Sequence, residues 1–292
     1  MLNKCTRYNS VVTHPKQLEN KLIAALKSAF QSPPGPVHLS VPVDVFRSPA
    51  PETISYPHIR QLLTKPAFAD LAAIEKLGQM LEKLSSQNRK VVLLVGEDCG
   101  EASSEILAFA ELMGAEITTT QGGKSCINPY HPLYKGVFGF AGHQSARQAL
   151  TDSSVDLILA VGTTLGQWAT STWDRALLNE RLVHIHHVNS YFSRSSMGQL
   201  QVYGNIKTVF QELVKRMKSS LLVGKVSQKE GALEDPNSKE KPPQIEVQKP
   251  ESYYSQETPI KPQRLIYEMM QRFPAETRFL IDTGNCLSLI HI

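Results

Sequence analysis

Three histidines crowd into one short stretch, His184, His186 and His187. Imidazole is a metal ligand and a base near neutral pH, so such a cluster invites a metal reading. A metal needs several ligands converging on one point. In a strand, however, His184 and His186 share one face and His187 takes the other, and no carboxylate or cysteine accompanies them in the sequence. The expectation is a structural role, and no metal site is assigned. Cys99, in Gly96-Glu97-Asp98-Cys99-Gly100, falls where a strand gives way to a helix. Such a place can lower a thiol's pKa, but the reading is again a structural turn thiol. Gly122-Gly123-Lys124-Ser125 ends like a phosphate loop, yet the GxxxxGK[ST] spacing requires an earlier glycine where this chain has Thr118, so the motif is discounted. Trp168 and Trp173 are read as packing or interface residues. The remaining chemistry-bearing signal is glycine. Gly136, Gly139 and Gly142 form a turn, and Gly162 closes the apolar run Leu157 to Val161. Ligands of open α/β sheets lie beyond the carboxyl ends of the strands, where glycine lets backbone approach them closely. Gly139, Gly142 and Gly162 are therefore the candidate cofactor-binding residues of a central cleft. No residue is assigned a catalytic role.

The elements that must position these glycines follow from periodicity. Leu157 to Val161 and Val91 to Val95 are apolar without alternation, the pattern of strands buried on both faces. Leu71, Ile74, Leu77, Leu81 and Leu84 mark a helix, and so do Ile106, Leu107, Ala110 and Met113, stopped by Gly114. Glu116 to Thr120 and Leu182 to His187 are further strands, and Ile206, Val209, Phe210, Leu213 and Met217 mark a closing helix. Strand and helix alternate from 68 to 220, which predicts a doubly wound, mostly parallel α/β sheet. Before it, Leu18, Leu22, Leu26 and Phe30 give a helix over 16–31, and Val37, Leu39 and Val41 give a strand after a Pro-rich break. One helix and one strand need a sheet from elsewhere. After it, residues 221–260 read as a solvated linker, Pro262 opens a helix, and Phe279 to Ile281 begins a strand running into Asp282-Thr283-Gly284-Asn285.

Composition narrows the function classes. The 292 residues hold 31 Lys and Arg against 27 Asp and Glu, a net charge of +4 scattered along the chain. That argues for no nucleic-acid partner. Cys5, Cys99, Cys126 and Cys286 form no CxxC pair, which argues against a disulfide framework and a zinc site. No apolar run approaches the roughly 20 residues that span a bilayer, and no leader is read at the start, so the expectation is a cytoplasmic protein with no membrane partner.

Taken together, three segments resemble the thiamine-diphosphate-dependent enzymes of the acetolactate synthase-like group. Gly35-Pro36-Val37-His38-Leu39-Ser40-Val41-Pro42-Val43-Asp44-Val45 is similar to the end of that family's pyrimidine-binding domain. His131-Pro132-Leu133-Tyr134-Lys135-Gly136 through Gly142, with Asp156 to Gly162, is similar to its central domain, and Asp282-x-Gly284-Asn285 to the start of its diphosphate-binding domain. The resemblance implies a domain order of 1–45, a linker at 46–67, a central α/β domain at 68–220, a linker at 221–260 and a third domain opening at 261–292.

The resemblance also implies chemistry. In the family, thiamine diphosphate lies between the two outer domains, usually of two subunits; a glutamate protonates the aminopyrimidine, and a GDG motif with a later Asn holds the magnesium that bridges the diphosphate. By the same resemblance that glutamate would precede this chain's first helix and strand, and the GDG and Asn would follow position 292. The expectation is thus a fragment of an enzyme acting on 2-keto acids, a transferase or lyase, with thiamine diphosphate and Mg2+ belonging to the full-length protein, a homodimer or tetramer. The chain alone is expected to be inactive. Some relatives hold FAD in the central domain through an Arg and an Asp after the strand-end glycine and an Asp-x-Asp after the next strand. Here those positions are Thr164, Gly166, His187 and Asn189. All four differ, so FAD is disfavoured by the lost charge-assisted contacts. The alternatives are a stand-alone nucleotide-binding module, against which stands the lack of GxGxxG after Val95, and a dimerisation scaffold. The aromatic that the family places soon after Gly-Asn is missing from Leu287 to Ile292.

Overall fold

The computed structural model describes residues 5–31, 34–49, 58, 68–222, 245–246, 250–274 and 277. The chain divides into two compact units, Met1–Pro66 and Ala67–Ile292.

In the first unit, β1 (Tyr8–Val11) pairs in parallel with β2 (Val37–Ser40), from Tyr8 opposite Val37 to Val11 opposite Ser40. Between them runs α1 (Leu18–Phe30), entered through a single tight turn at Pro15–Gln17. The sequence missed β1 because Tyr8-Asn9-Ser10-Val11 is half polar and only alternately covered. The apolar stripe of α1 is only half-buried: among its residues Ala25 alone is buried. A short helix, α2 (Val43–Phe46), follows and leaves Val43 and Phe46 exposed. Among the described residues of this unit the buried apolar ones are Val12, Ala25 and Val45.

The second unit holds six parallel strands in the order β5-β4-β3-β6-β7-β8. They are β3 (Lys90–Val95), β4 (Glu116–Thr119), β5 (Tyr134–Val137), β6 (Val155–Val161), β7 (Leu182–His186) and β8 (Leu200–Tyr203). The chain builds outward from β3 to one edge, returns beside β3 with β6, and builds to the other edge. The order therefore reverses between β3 and β6. Helices α3 (Leu71–Ser86), α4 (Ser103–Met113) and α6 (Ile206–Leu222) cover one face, packing Leu77, Phe109 and Phe210 against Val91, Leu93, Val95, Leu157, Leu159 and Val161. On the other face α5 (Gln144–Thr151) packs Ala146, Ala149 and Leu150 with Val92, Leu94, Ile158 and Ala160. Both faces are buried, as the unbroken apolar runs of β3 and β6 require. The fold class is the expected doubly wound parallel sheet. A last helix, α7 (Pro262–Arg272), follows a tight turn at Pro250–Tyr254, and Tyr254 meets Tyr267 edge-on.

Two strands of the second unit depart from the sequence reading. Gly136 is not part of the glycine turn; it lies inside β5, with φ +102°. Residues 200–203 form β8, where no strand was expected. The expected strand at Phe279 to Ile281 and the Asp282 to Asn285 segment lie outside the described residues.

Candidate functional site

The two ends of the sheet differ in chemistry. At the amino ends Arg89 grips Asp156 with two nitrogens, one bond being 2.6 Å, and Lys90 pairs with Asp152 at 2.8 Å. The Lys90 ammonium and the Ser154 backbone and hydroxyl donors hold the Asp152 carboxyl well below the usual carboxylate range. These pairs fix the starts of β3 and β6. The carboxyl ends carry the candidate glycines, the histidines and Cys99.

The glycines serve close contact within the chain. Gly162 ends β6 in the left-handed region (φ +58°), its N–H donating to Ile185 O and its carbonyl accepting from the Asp98 N–H. A β-carbon there would stand 2.7 Å from Cys99 Sγ and 2.9 Å from Ile206 Cδ1. Gly139 (φ +120°) faces Trp168 O at 2.4 Å, and Gly142 faces Val137 O at 2.5 Å, by the same construction. Gly139 and Gly142 thus come together beyond β5, where the Phe140 N–H also donates to Trp168 O at 2.8 Å. Gly162 lies beyond β6, with β4 and β3 between the two places. The space each glycine leaves is filled by protein atoms.

Parallel pairing brings together residues far apart in sequence. Asp98 reaches over Gly162 to the end of β7, where its Oδ2 lies 3.4 Å from His186 Nε2 and 3.7 Å from His187 Nε2. A carboxylate does accompany the histidines, contrary to the sequence reading. The face assignment also changes. The strand stops at His186, so His187 is released from alternation and its ring stacks on that of His186, centroids 4.8 Å apart and 25° from parallel. The trio Asp98, His186 and His187 has the composition of a metal site. Its hydrogen bonding argues otherwise. The Val188 N–H donates to His186 Nδ1 at 3.0 Å, which makes Nδ1 the acceptor and puts the proton of the neutral ring on Nε2. A metal-binding imidazole has the reverse arrangement, donating from the ring nitrogen that faces away from the metal.

His184 is fully buried and fully satisfied. Its Nε2 donates to Thr163 O at 3.0 Å, and the Ser195 hydroxyl, 2.9 Å from Nδ1, supplies the other bond. Burial pushes the ring's pKa down to about 4. Cys99 is buried as well, and burial pushes its thiol up, the opposite of an activated cysteine; its Sγ donates to Val161 O at 3.2 Å. Gly123 of the discounted phosphate motif presses on Val95 O, 2.1 Å from where its β-carbon would be. Burial lowers the Lys124 pKa. Trp168 is half-exposed and meets Phe140 edge-on at 4.6 Å, and Trp173 stands exposed in the left-handed region.

At the flavin-type positions, the Thr164 N–H faces the Glu97 carboxylate at 3.4 Å, Thr164 O accepts from Arg194 at 3.0 Å, and His187 is taken up in its stack. The sequence reading missed Arg194, which returns a cation to the end of β6 from thirty residues on.

Compared with known proteins, residues 77–213 match the family described as thiamine pyrophosphate enzyme, central domain. Over those residues the chain is similar to the thiamine pyrophosphate enzymes. The curated proteins it resembles include acetolactate synthase large subunits. It is 25% identical over 276 residues to a probable acetolactate synthase large subunit of Methanocaldococcus jannaschii, covering 91% of this chain and 43% of that one. It is 28% identical over 222 residues to the acetolactate synthase large subunit of Cyanidium caldarium, covering 73% and 36%. Benzoylformate decarboxylase from Polynucleobacter necessarius shares the fold, with a TM-score of 0.63 at 18% identity over 94% of this chain and 47% of that one. The chain spans less than half the length of these relatives. The matched residues run from α3 to α6 and so take in all six strands of the sheet just described.

Proposed function

We propose that this chain is part of a thiamine-diphosphate-dependent enzyme acting on 2-keto acids, of the acetolactate synthase kind, in which residues 68–222 are the scaffold between two cofactor-holding modules. The observation that carries the reading is order: the family match at 77–213 is flanked by the segments Gly35 to Val45 and Asp282 to Asn285, which resemble the expected neighbours on the correct sides. In this reading the protein is cytoplasmic and a homodimer or tetramer. Among the described residues no helix is long and apolar enough to cross a membrane.

The described residues do not fit the cofactor. Magnesium on a diphosphate requires oxygen ligands, whereas the cluster found among the described residues, Asp98, His186 and His187, sets one carboxylate beside two imidazoles. Flavin fits no better: at the end of β6 the Thr164 N–H that would receive a phosphate oxygen already faces the Glu97 carboxylate. No chemical step is assigned to these residues. Their role is to hold the sheet from which the modules extend. In this reading Gly139 and Gly142, beyond β5, and Gly162, beyond β6, serve as close-packed turns at the carboxyl ends of the strands.

The test is to sequence the transcript on both sides of this reading frame and assay the encoded protein with pyruvate, thiamine diphosphate and Mg2+. An open frame with an upstream glutamate and a downstream GDG and Asn, giving acetolactate or CO2, is the expected result. Genuine start and stop signals bounding these 292 codons would overturn it.

A further inference from the structure

Helix α5 begins without a side-chain cap. His143 stands at its N-cap, but His143 Nδ1 is already engaged, accepting the Val137 N–H at 2.8 Å. The first N–H groups of a helix need acceptors. One comes from a hundred residues further on: the Gln144 N–H donates to Glu246 O at 3.3 Å. The Glu246 N–H in turn donates to Ser145 Oγ at 3.1 Å, and the same hydroxyl donates to Lys135 O of edge strand β5 at 2.7 Å. Ser145, itself buried, is thus both acceptor and donor, linking strand, helix and the incoming segment. Next to Glu246, Ile245 packs against the larger core. The two residues wall a cleft of about 450 Å³ that Lys135, Gln148 and Asp152 also line.

We propose that the start of α5 and the edge of β5 form a docking site for the Ile245–Glu246 segment of the same chain, and that this strap sets where the Pro250–Tyr254 turn and α7 begin. The inference does not depend on the enzyme reading. Distances show what an anchor changes. Residues 223–249 separate α6 from Pro250, and a free coil of that length has a root-mean-square span of roughly 30 Å. Four peptide steps separate Glu246 from Pro250, a reach of about 15 Å at most. Docking therefore confines the following element to the neighbourhood of β5 and raises its effective concentration there. The recognition is mostly backbone, one N–H and one C=O, with a single apolar side chain giving specificity. Ile245 is the residue to change.

Hydrogen exchange on the full chain tests the proposal. In the wild type, the Glu246 and Gln144 amides are expected to exchange far more slowly than free-chain amides. Ile245→Asp is expected to accelerate both by about tenfold or more, leaving the Leu93 and Leu159 amides unchanged, while Ile245→Leu restores protection. A spin-label pair at Gln148→Cys and Glu251→Cys, with Cys5 and Cys286 replaced by Ser, is expected to give a narrow distance distribution that broadens in Ile245→Asp. A Glu246 amide exchanging at the free-chain rate in the wild type overturns the proposal without recourse to any variant. So does an Ile245→Asp protein whose protection and distances match the wild type.

Discussion

At the residue scale, burial decides which chemistry is available at the carboxyl edge. His184 has both ring nitrogens bonded and a pKa lowered from 6.5 to about 4 by desolvation. An unfolded chain takes up the proton below pH 6.5 and the native chain resists it down to about 4, so the unfolded state binds more protons in that window. The stability this provides is complete above pH 6.5 and is lost as pH falls towards 4, by about 3 kcal/mol at most. Denaturant titrations at pH 7 and pH 4.5 are expected to show the loss, and His184→Gln to flatten it; a wild type equally stable at both would refute the assignment. The glycines make a second contrast. Gly162→Ala forces a β-carbon against Cys99 Sγ and Ile206 Cδ1 at positive φ, and is expected to cost about 1–3 kcal/mol. Gly166→Ala meets nothing nearer than 3.5 Å and is expected to be nearly neutral. Thermal unfolding of the two variants side by side checks the difference. Type and spacing alone revealed the glycines and histidines. They did not reveal that Asp98 joins His186 and His187, because that meeting depends on β3 and β7 both lying against β6.

At the scale of elements, position in the sheet explains which strands were legible. β3 and β6 are interior strands covered on both faces, so each carries a continuous apolar run that announces itself, while β7, equally buried, reads Leu-Val-His-Ile-His. The two edge strands do not. β5 reads Tyr-Lys-Gly-Val with a left-handed glycine inside it, and β8 reads Leu-Gln-Val-Tyr with Gln201 exposed; neither carries a periodicity that separates it from a loop. Helices were found more readily because their stripes are long, and one has a good start signal as well. Asp70 caps α3, its Oδ1 accepting the Ala73 N–H at 3.0 Å, while its own N–H donates to Tyr203 O at the end of β8. Losing the side-chain bond leaves a helix-terminal donor to solvent. Asp70→Ala is expected to lower stability by about 1 kcal/mol, and Asp70→Asn to recover most of it. Equilibrium urea unfolding distinguishes the two, and equal loss in both variants would mean the carboxylate charge, not the cap, is what matters.

For the molecule as a whole, the question is which part of the chain folds as one body. The larger core runs from α3 through β3, β6 and β7 to α6, so the first and last helices of 68–222 pack into the same cluster. The second core uses the alternate residues of those same strands: Val92, Leu94, Ile158 and Ala160 face α5 while Val91, Leu93, Leu157 and Leu159 face the other helices. Neither face can be lost without stripping the other side of the strands it shares. In the sequence, strand and helix patterns alternate between Leu71 and Met217 except at the two edge strands, which is the basis for expecting one body there. The first unit has no comparable core, with Val12, Ala25 and Val45 as its buried apolar residues among those described. A polypeptide of residues 68–222 is therefore expected to unfold in a single calorimetric transition with matching calorimetric and van't Hoff enthalpies. Limited proteolysis of the full chain is expected to spare that span while removing residues before it. Two transitions within 68–222, or early cuts between β3 and β7, would mean that the two faces are not one cooperative unit, and a scaffold that opens along its own sheet could not fix the modules on either side of it.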